Sequence, residues 1–252
     1  ILDIPAKGCL NLHGSLLPTY RGRCPINWVL INGEAQTGVT LHYMTPKPDD
    51  GDIVSQVPVP IGSDDTALTL FNKMTAAARA LLDQALPLIL KGKAPRKPQN
   101  HAQASYFGGR RAEDGEIDWS RSAQQIRNLV RAVTHPYPGA FTWAGERKLL
   151  IWSAAVKHVK AAGTPGAVLS TDPLTIACGK GALLVHQAQA EKDIVMAGAQ
   201  VAAVMGLAPG ARLGARRQVQ SRRKTTVLIL GVNGFIGNAL SERLLDSGKY
   251  VV

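Results

Sequence analysis

Hydrophobic and polar positions divide the 252-residue chain into short alternating runs, one long helical run and a glycine-broken apolar segment near the end. GCLNLH (Gly8–His13) alternates with period two, so it predicts a short strand on which Asn11 and His13 share one face while Leu12 takes the other. Gly14 and Ser15 end that strand, and Pro18 forbids a smooth helical continuation. PINWVLING (Pro25–Gly33) predicts a short helix with Pro in its first turn and Gly at its stop. TGVTLHYM (Thr37–Met44) and DIVSQVPVPI (Asp52–Ile61) are alternating β-rich runs, joined by the turn-forming TPKPDDGD. The run from Ser63 to Gly92 carries the longest helical signal. Ser63 or Asp64 is its expected N-cap, Gly92 lies past its end, and Pro87 predicts a kink or a break.

KGKAPRKPQN (Lys91–Asn100) is rich in Pro and Lys, which predicts a linker. A second region starts near Ala104 with a helix over Ser122–Thr134. Short strands follow through Ala140–Val156, with a hairpin turn at Ala144–Gly145, and recur in GAVLS, LTIACG and ALLVHQAQA. That pattern predicts a small β-barrel, with MAGAQVAAVMG adding a terminal helix. TTVLILGVNGFIGNALSERLLDSG (Thr225–Gly248) is different again: an apolar strand, a glycine-rich turn and an amphipathic helix. Gly231, Gly234 and Gly237 sit between strand and helix, where glycines let a pyrophosphate approach the free N–H groups of the helix start. A tight strand-to-helix turn without a ligand uses the same residues. The acidic residue that binds ribose in such sites, expected ~20 positions further on, falls at or beyond the last residue.

Composition narrows the class. With 45% hydrophobic and 19% charged residues, the chain can bury the core of one large or two ordinary domains. No apolar run approaches the ~20 residues of a membrane span, so no membrane insertion is expected. Cys9, Cys24 and Cys178 are too few and scattered for a disulfide framework, and no secretory signal precedes them; a reducing, cytoplasmic location is expected. The chain opens at Ile1 and closes on GKYVV, so both ends read as cut. Of the net charge of +11, residues 115–224 hold 15 basic against 6 acidic groups, whereas residues 1–114 hold 12 against 10. The excess peaks in RLGARRQVQSRRK (Arg212–Lys224), which suits either a polyanion or a solvated basic linker.

Candidate chemistry gathers around the first strand. Asn11 and His13 project together at a strand end, the place where open α/β sheets bind ligands, although on these residues alone a satisfied polar strand terminus is the simpler explanation. The later turn offers Asp49, Asp50 and Asp52. A carboxylate beside a histidine raises the imidazole pKa and orients the ring. An amide, an imidazole and a carboxylate together suit acyl transfer to an amine: the first two hold an oxyanion and the third manages the proton. Ser15 lacks the context of a nucleophile elbow, and the Asp cluster also serves as a plain turn.

NLHGSLLPTYRG followed by GVTLHYMTPKPDDGDIV resembles the signature of the 10-formyltetrahydrofolate-dependent formyltransferases: an Asn-x-His pair, an SLLPxxRG loop and a later Asp in a D-x-G-D turn. The resemblance implies Asn11, His13 and Asp49 as catalytic residues. It implies Ser15, Leu16, Leu17, Pro18, Arg21 and Gly22 as the substrate and folate loop, with Arg21 either placing an anionic group or holding the loop. His13 is then charged by proximity to Asp49, N10-formyltetrahydrofolate is the co-substrate, and no metal is involved. RGRCPINW, the basic linker and VLILGVNGFIGNALSERLL together resemble bifunctional enzymes of this kind. Those pair a UDP-4-amino-4-deoxy-L-arabinose formyltransferase with an NAD-dependent UDP-glucuronate decarboxylase of the extended short-chain dehydrogenase type. That likeness implies a UDP-sugar substrate, a homo-oligomer, no nucleic-acid partner, and NAD held by Gly231, Gly234, Phe235, Ile236 and Gly237.

The implied architecture is α/β. Residues 1–103 are the C-terminal part of a Rossmann-like formyltransferase domain and residues 104–214 a small OB-like barrel. Residues 215–224 are a basic linker, and 225–252 the first βα unit of a second Rossmann domain. Against the family pattern the chain starts at a late strand, without the first βα units, so exposed sheet edges are expected. The dehydrogenase Tyr-x-x-x-Lys is also absent. Two rival readings remain: a methionyl-tRNA formyltransferase, favoured by the basic middle and opposed by the glycine fingerprint, and a non-catalytic fragment.

Overall fold

The computed structural model describes residue 5, residues 8–159 and 163–214, and the short strands at 225–226 and 250–251. The chain divides into two compact units, residues 1–215 and 216–252. The basic run from Arg216 to Lys224 and the glycine turn with Gly231, Gly234, Phe235, Ile236 and Gly237 lie outside the described residues. In the second unit Thr225–Thr226 pairs in parallel with Tyr250–Val251.

The first unit opens with strand β1 (Leu10–His13), the two-residue strand β2 (Arg21–Gly22) and helix α1 (Pro25–Asn32), then strands β3 (Gln36–Tyr43) and β4 (Ile53–Pro60). Helix α1 ends where Gly33 takes the left-handed conformation that glycine tolerates, as expected. β1, β3 and β4 form one sheet in that order, and both pairings are antiparallel. The predicted site sits at the end of β1, whose last residue is His13, beside an antiparallel neighbour. Leu12 points away from Asn11 and His13 and is exposed.

Helix α2 (Ala67–Leu90) covers β3 and β4 with Leu70, Met74 and Leu81, which pack with Val39, Leu41 and Val54. Its N-cap is Thr66, not Ser63 or Asp64: the Thr66 hydroxyl accepts from the Thr69 amide, and the Thr69 hydroxyl from the Thr66 amide. Pro87 does not break the helix. It lies in the last turn, where its missing N–H and its ring disturb a single carbonyl. The Lys91–Asn100 stretch is no free linker either. Ile53 and Lys97 exchange two backbone hydrogen bonds of 2.8 and 3.0 Å, and Gln99 is buried. The open edge of β4 offered backbone groups that outweigh the Pro- and Lys-rich composition.

Strand β5 (Tyr106–Phe107) pairs in parallel with β2. Helix α3 (Ala123–Val133), capped by Ser122, packs on α1, and the Asn27 amide donates to the Ala132 carbonyl at 2.7 Å. A mainly antiparallel sheet follows: β6 (Ala140–Ala144), β7 (Arg147–Lys157), β8 (Val168–Thr171), β9 (Leu174–Ala177) and β10 (Ala182–Ala190), in the order β6–β7–β10–β9–β8. Strand β11 (Met196–Ala197) adds to β10, and α4 (Gly198–Val204) follows directly. The segment 211–214 bonds both edges of this sheet, to Trp143 of β6 at 3.0 Å and to Val168 of β8 at 2.8 Å. Neither edge is left open there. Among the described residues no helix is long and apolar enough to cross a membrane.

Candidate active site

The site is built from two facing strands. In the β1–β3 register Asn11 lies opposite His42 and His13 opposite Thr40. Alternation puts all four side chains on one face. Thr40, fully buried, donates to the Ser15 carbonyl at 2.6 Å and accepts from the Leu17 amide at 3.1 Å and from Gln56 at 2.8 Å. It ties the loop after β1 to the sheet. His42, also buried, donates from Nδ1 to the Tyr43 carbonyl at 2.8 Å.

Asp49 closes the group from the turn between β3 and β4, held in the left-handed region at φ 54°. Its Oδ2 accepts from the Gly22 amide at 2.8 Å. Three nitrogens converge on its Oδ1: Asn11 Nδ2 at 3.4 Å, His13 Nδ1 at 3.4 Å and His42 Nε2 at 3.5 Å. The three residues predicted from the Asn-x-His and D-x-G-D motifs thus meet at one carboxylate oxygen.

His13 corrects one expectation. Burial is the largest influence on it and lowers its pKa below the ordinary 6.5; the Tyr20 carbonyl and the Asp49 charge pull it back only in part. The carboxylate was expected to leave the ring charged, but removal from water outweighs it. Burial pushes Asp49 up, yet its contacts with His42, the Gly22 amide and His13 prevail and hold it below the ordinary 3.8. The resting pair at neutral pH is a neutral imidazole beside an ionised carboxylate. His13 Nε2 donates to the Tyr20 carbonyl at 2.7 Å, so its Nδ1 lone pair faces Asp49.

The loop from Ser15 to Gly22 is a frame. Ser15 is fully buried and its hydroxyl donates to the Thr19 carbonyl at 2.6 Å, so it is tied down rather than poised as a nucleophile. Leu16 lies over Gly38, where a Cβ would come within 2.4 Å of its methyl group. Leu17 is buried, and the Pro18 carbonyl accepts from the Ser105 amide. At Gly22, φ is 96° and a Cβ would meet the Phe107 carbonyl at 2.3 Å, so only glycine presents its amide to Asp49 here.

Arg21 holds this frame. All five guanidinium N–H groups are engaged: with Gln99 Oε1 at 3.2 and 2.6 Å, Asp50 Oδ1 at 2.6 Å, the Tyr106 hydroxyl at 2.6 Å and His101 Nδ1 at 3.2 Å. No donor remains for a substrate anion, so of the two roles expected for Arg21 the loop-holding one fits. Gln99 passes the link on by donating to the Asp49 and Gly51 carbonyls at 2.9 and 2.7 Å. Asp50→Ala should therefore destabilise the protein by about 3 kcal/mol, the low end for losing one partner of a buried pair because Asp50 keeps some exposure. Urea unfolding of wild type and variant measures it; an unchanged midpoint contradicts the role given to Arg21.

Comparison with known proteins bears on the fold that carries this geometry. Residues 1–86 match the model of the formyl transferase family, and residues 110–205 match that of the formyl transferase C-terminal domain. The two matched segments carry the same family description, formyl transferase. Among solved structures, HypX from Aquifex aeolicus in complex with tetrahydrofolic acid is 22% identical over 77% of this chain and 34% of that one, with a TM-score of 0.58. The N-formyltransferase from Helicobacter canadensis, in complex with folinic acid and dTDP-3-aminofucose, is 22% identical over 70% and 64%, with a TM-score of 0.56. WlaRD, a sugar 3N-formyl transferase crystallised with dTDP and 5-N-formyl-THF, is 22% identical over 73% and 66%, with a TM-score of 0.55. At this identity the likeness is one of fold. The chain spans about a third of HypX.

Asn11, His13 and Asp49 all fall in the first formyl transferase segment. Gln99, His101 and Tyr106, which brace the site through Arg21, fall between the two matched segments. The sequence reading missed His42, Thr40 and Gln99. A signal for the first two was present: Thr40 and His42 alternate in TLH as Asn11 and His13 alternate in NLH.

Proposed function

We propose that this protein transfers a formyl group from N10-formyltetrahydrofolate to the amine of a nucleotide sugar. One observation carries the reading: an amide, two imidazoles and an ionised carboxylate converge at Asp49 Oδ1, while the nearby Ser15 hydroxyl is bound elsewhere. That donor set fits a reaction in which the acceptor amine attacks directly and no enzyme nucleophile is needed. The folate brings the activated formyl group. Asn11 offers an amide N–H to the formyl oxygen as negative charge grows on it, displacing the long contact to Asp49. The His13–Asp49 pair takes the proton that the amine loses, and the imidazolium so formed adds to the stabilisation of the oxygen. The same pair returns the proton to the departing folate nitrogen, so protons balance over the cycle.

For the finer identity, the reading is a bifunctional polymyxin resistance protein. RGRCPINW near the site and the glycine-rich segment after Thr225 support UDP-4-amino-4-deoxy-L-arabinose as the amine. They also support an NAD-dependent UDP-glucuronate decarboxylase beginning at residue 225, residues 104–214 as an OB-like domain, and a cytoplasmic homo-oligomer. NAD would be held by Gly231, Gly234, Phe235, Ile236 and Gly237. The basic middle of the chain favours tRNA as the rival acceptor. Formyl transfer to UDP-4-amino-4-deoxy-L-arabinose and to initiator methionyl-tRNA, measured side by side, decides between them. The sugar nucleotide is expected to be formylated and the tRNA not; the reverse result overturns the substrate assignment.

A further inference from the structure

Asn11 can serve as an oxyanion donor only if its nitrogen, and not its oxygen, faces the reacting group, and the side chain alone does not choose between these two orientations. His42 makes that choice together with Asp49. Its Nδ1 lies 2.8 Å from the Tyr43 carbonyl, which only accepts, so Nδ1 carries the ring proton. Its Nε2 lies 3.2 Å from Asn11 Nδ2, which only donates, and a longer 3.5 Å from Asp49 Oδ1; with the ring proton on Nδ1, the Nε2 lone pair takes the shorter contact. A flipped Asn11 amide would set its oxygen against that lone pair and against Asp49 Oδ1 at once, two repulsive contacts in a buried place. The directly opposed register of Asn11 and His42 keeps the contact short without any loop in between.

We propose that His42 is a positioning residue which, with its ring proton on Nδ1, fixes the Asn11 amide with its N–H groups turned toward the reaction centre. This rests on the formyl-transfer reading for its catalytic consequence, but the contact itself does not. Glutamine reproduces the polarity of the ring at this position, with its amide N–H available to Tyr43 and its oxygen to Asn11, whereas leucine supplies neither.

Two measurements test it. His42→Leu should lower kcat about tenfold to a hundredfold, as a misplaced catalytic group does, with KM for both substrates within about twofold of wild type. His42→Gln should restore most of the loss. Nitrogen NMR of the wild-type imidazoles should show His42 protonated at Nδ1 and bare at Nε2, with the Nε2 resonance shifted in Asn11→Ala. An Nε2-protonated ring overturns the proposal, and so does His42→Leu at wild-type kcat or a His42→Gln no better than His42→Leu. Absence of any formyl transfer by wild type overturns the function instead, and the NMR tautomer still decides the contact between His42 and Asn11.

Discussion

Asparagine in place of Asp49 should lower kcat for formyl transfer on the order of 10³-fold while leaving KM nearly unchanged. The substitution keeps the shape of the side chain and an oxygen for the Gly22 amide, so the turn at residue 49 survives. What it removes is the negative charge on which Asn11, His13 and His42 converge. An amide can neither share the amine's proton with His13 nor stabilise the imidazolium that forms. Steady-state kinetics on the two proteins reads the effect directly, and a variant within tenfold of wild type contradicts the role given to the carboxylate.

His13→Ala should cost a comparable factor in kcat, roughly 10²–10⁴-fold, because it takes away the ring nitrogen that receives the proton. It also carries a pH signature. In the folded protein His13 titrates below the ordinary 6.5, so the unfolded chain binds the proton more readily. Stability therefore falls as pH drops through about 6.5 and levels off once the folded ring is protonated too. Asp49, depressed below the ordinary 3.8, adds stability above that value that is lost only as pH falls through its lower folded pKa. The two windows are separate. Urea unfolding from about pH 8 to about pH 5 should show the first slope in wild type and a flatter one in His13→Ala. A slope unchanged by the substitution contradicts the assignment of that proton to His13.

Local patterning made much of this fold legible, because the signals were chemical and short-range. Pro25 and Gly33 bracket α1, the helix expected over Ser122–Thr134 forms, and Gly145, expected in the hairpin turn with Ala144, joins β6 to β7 in a turn one residue later, each through backbone preferences that act within a few residues. The failures were of longer range. Thr66 outcompeted Ser63 and Asp64 as a cap because Thr69 completed a reciprocal pair. Lys91–Asn100 has the composition of a linker, and only the presence of β4 beside it explains its two ladder bonds and the burial of Gln99.

The site divides in the same way. That Asn11, His13 and Asp49 meet was legible because the resemblance of their motifs pointed to all three. Choosing Asp49 over Asp50 for the site and Asp50 for Arg21 rested on family likeness, and the two neighbouring carboxylates do point to different partners. The charge of His13 was not legible, since it depends on how deeply the ring is buried. His42 was passed over because an alternating strand reads as packing, and its chemistry emerges only when β3 is laid against β1.

The most direct test of the central claim is release of tetrahydrofolate from N10-formyltetrahydrofolate by wild type and Asp49→Asn, with and without UDP-4-amino-4-deoxy-L-arabinose. Release that requires the amine, yields one formamide per folate and falls about 10³-fold in the variant is the predicted result. Release at the same rate in both proteins, or release indifferent to the amine, would contradict it.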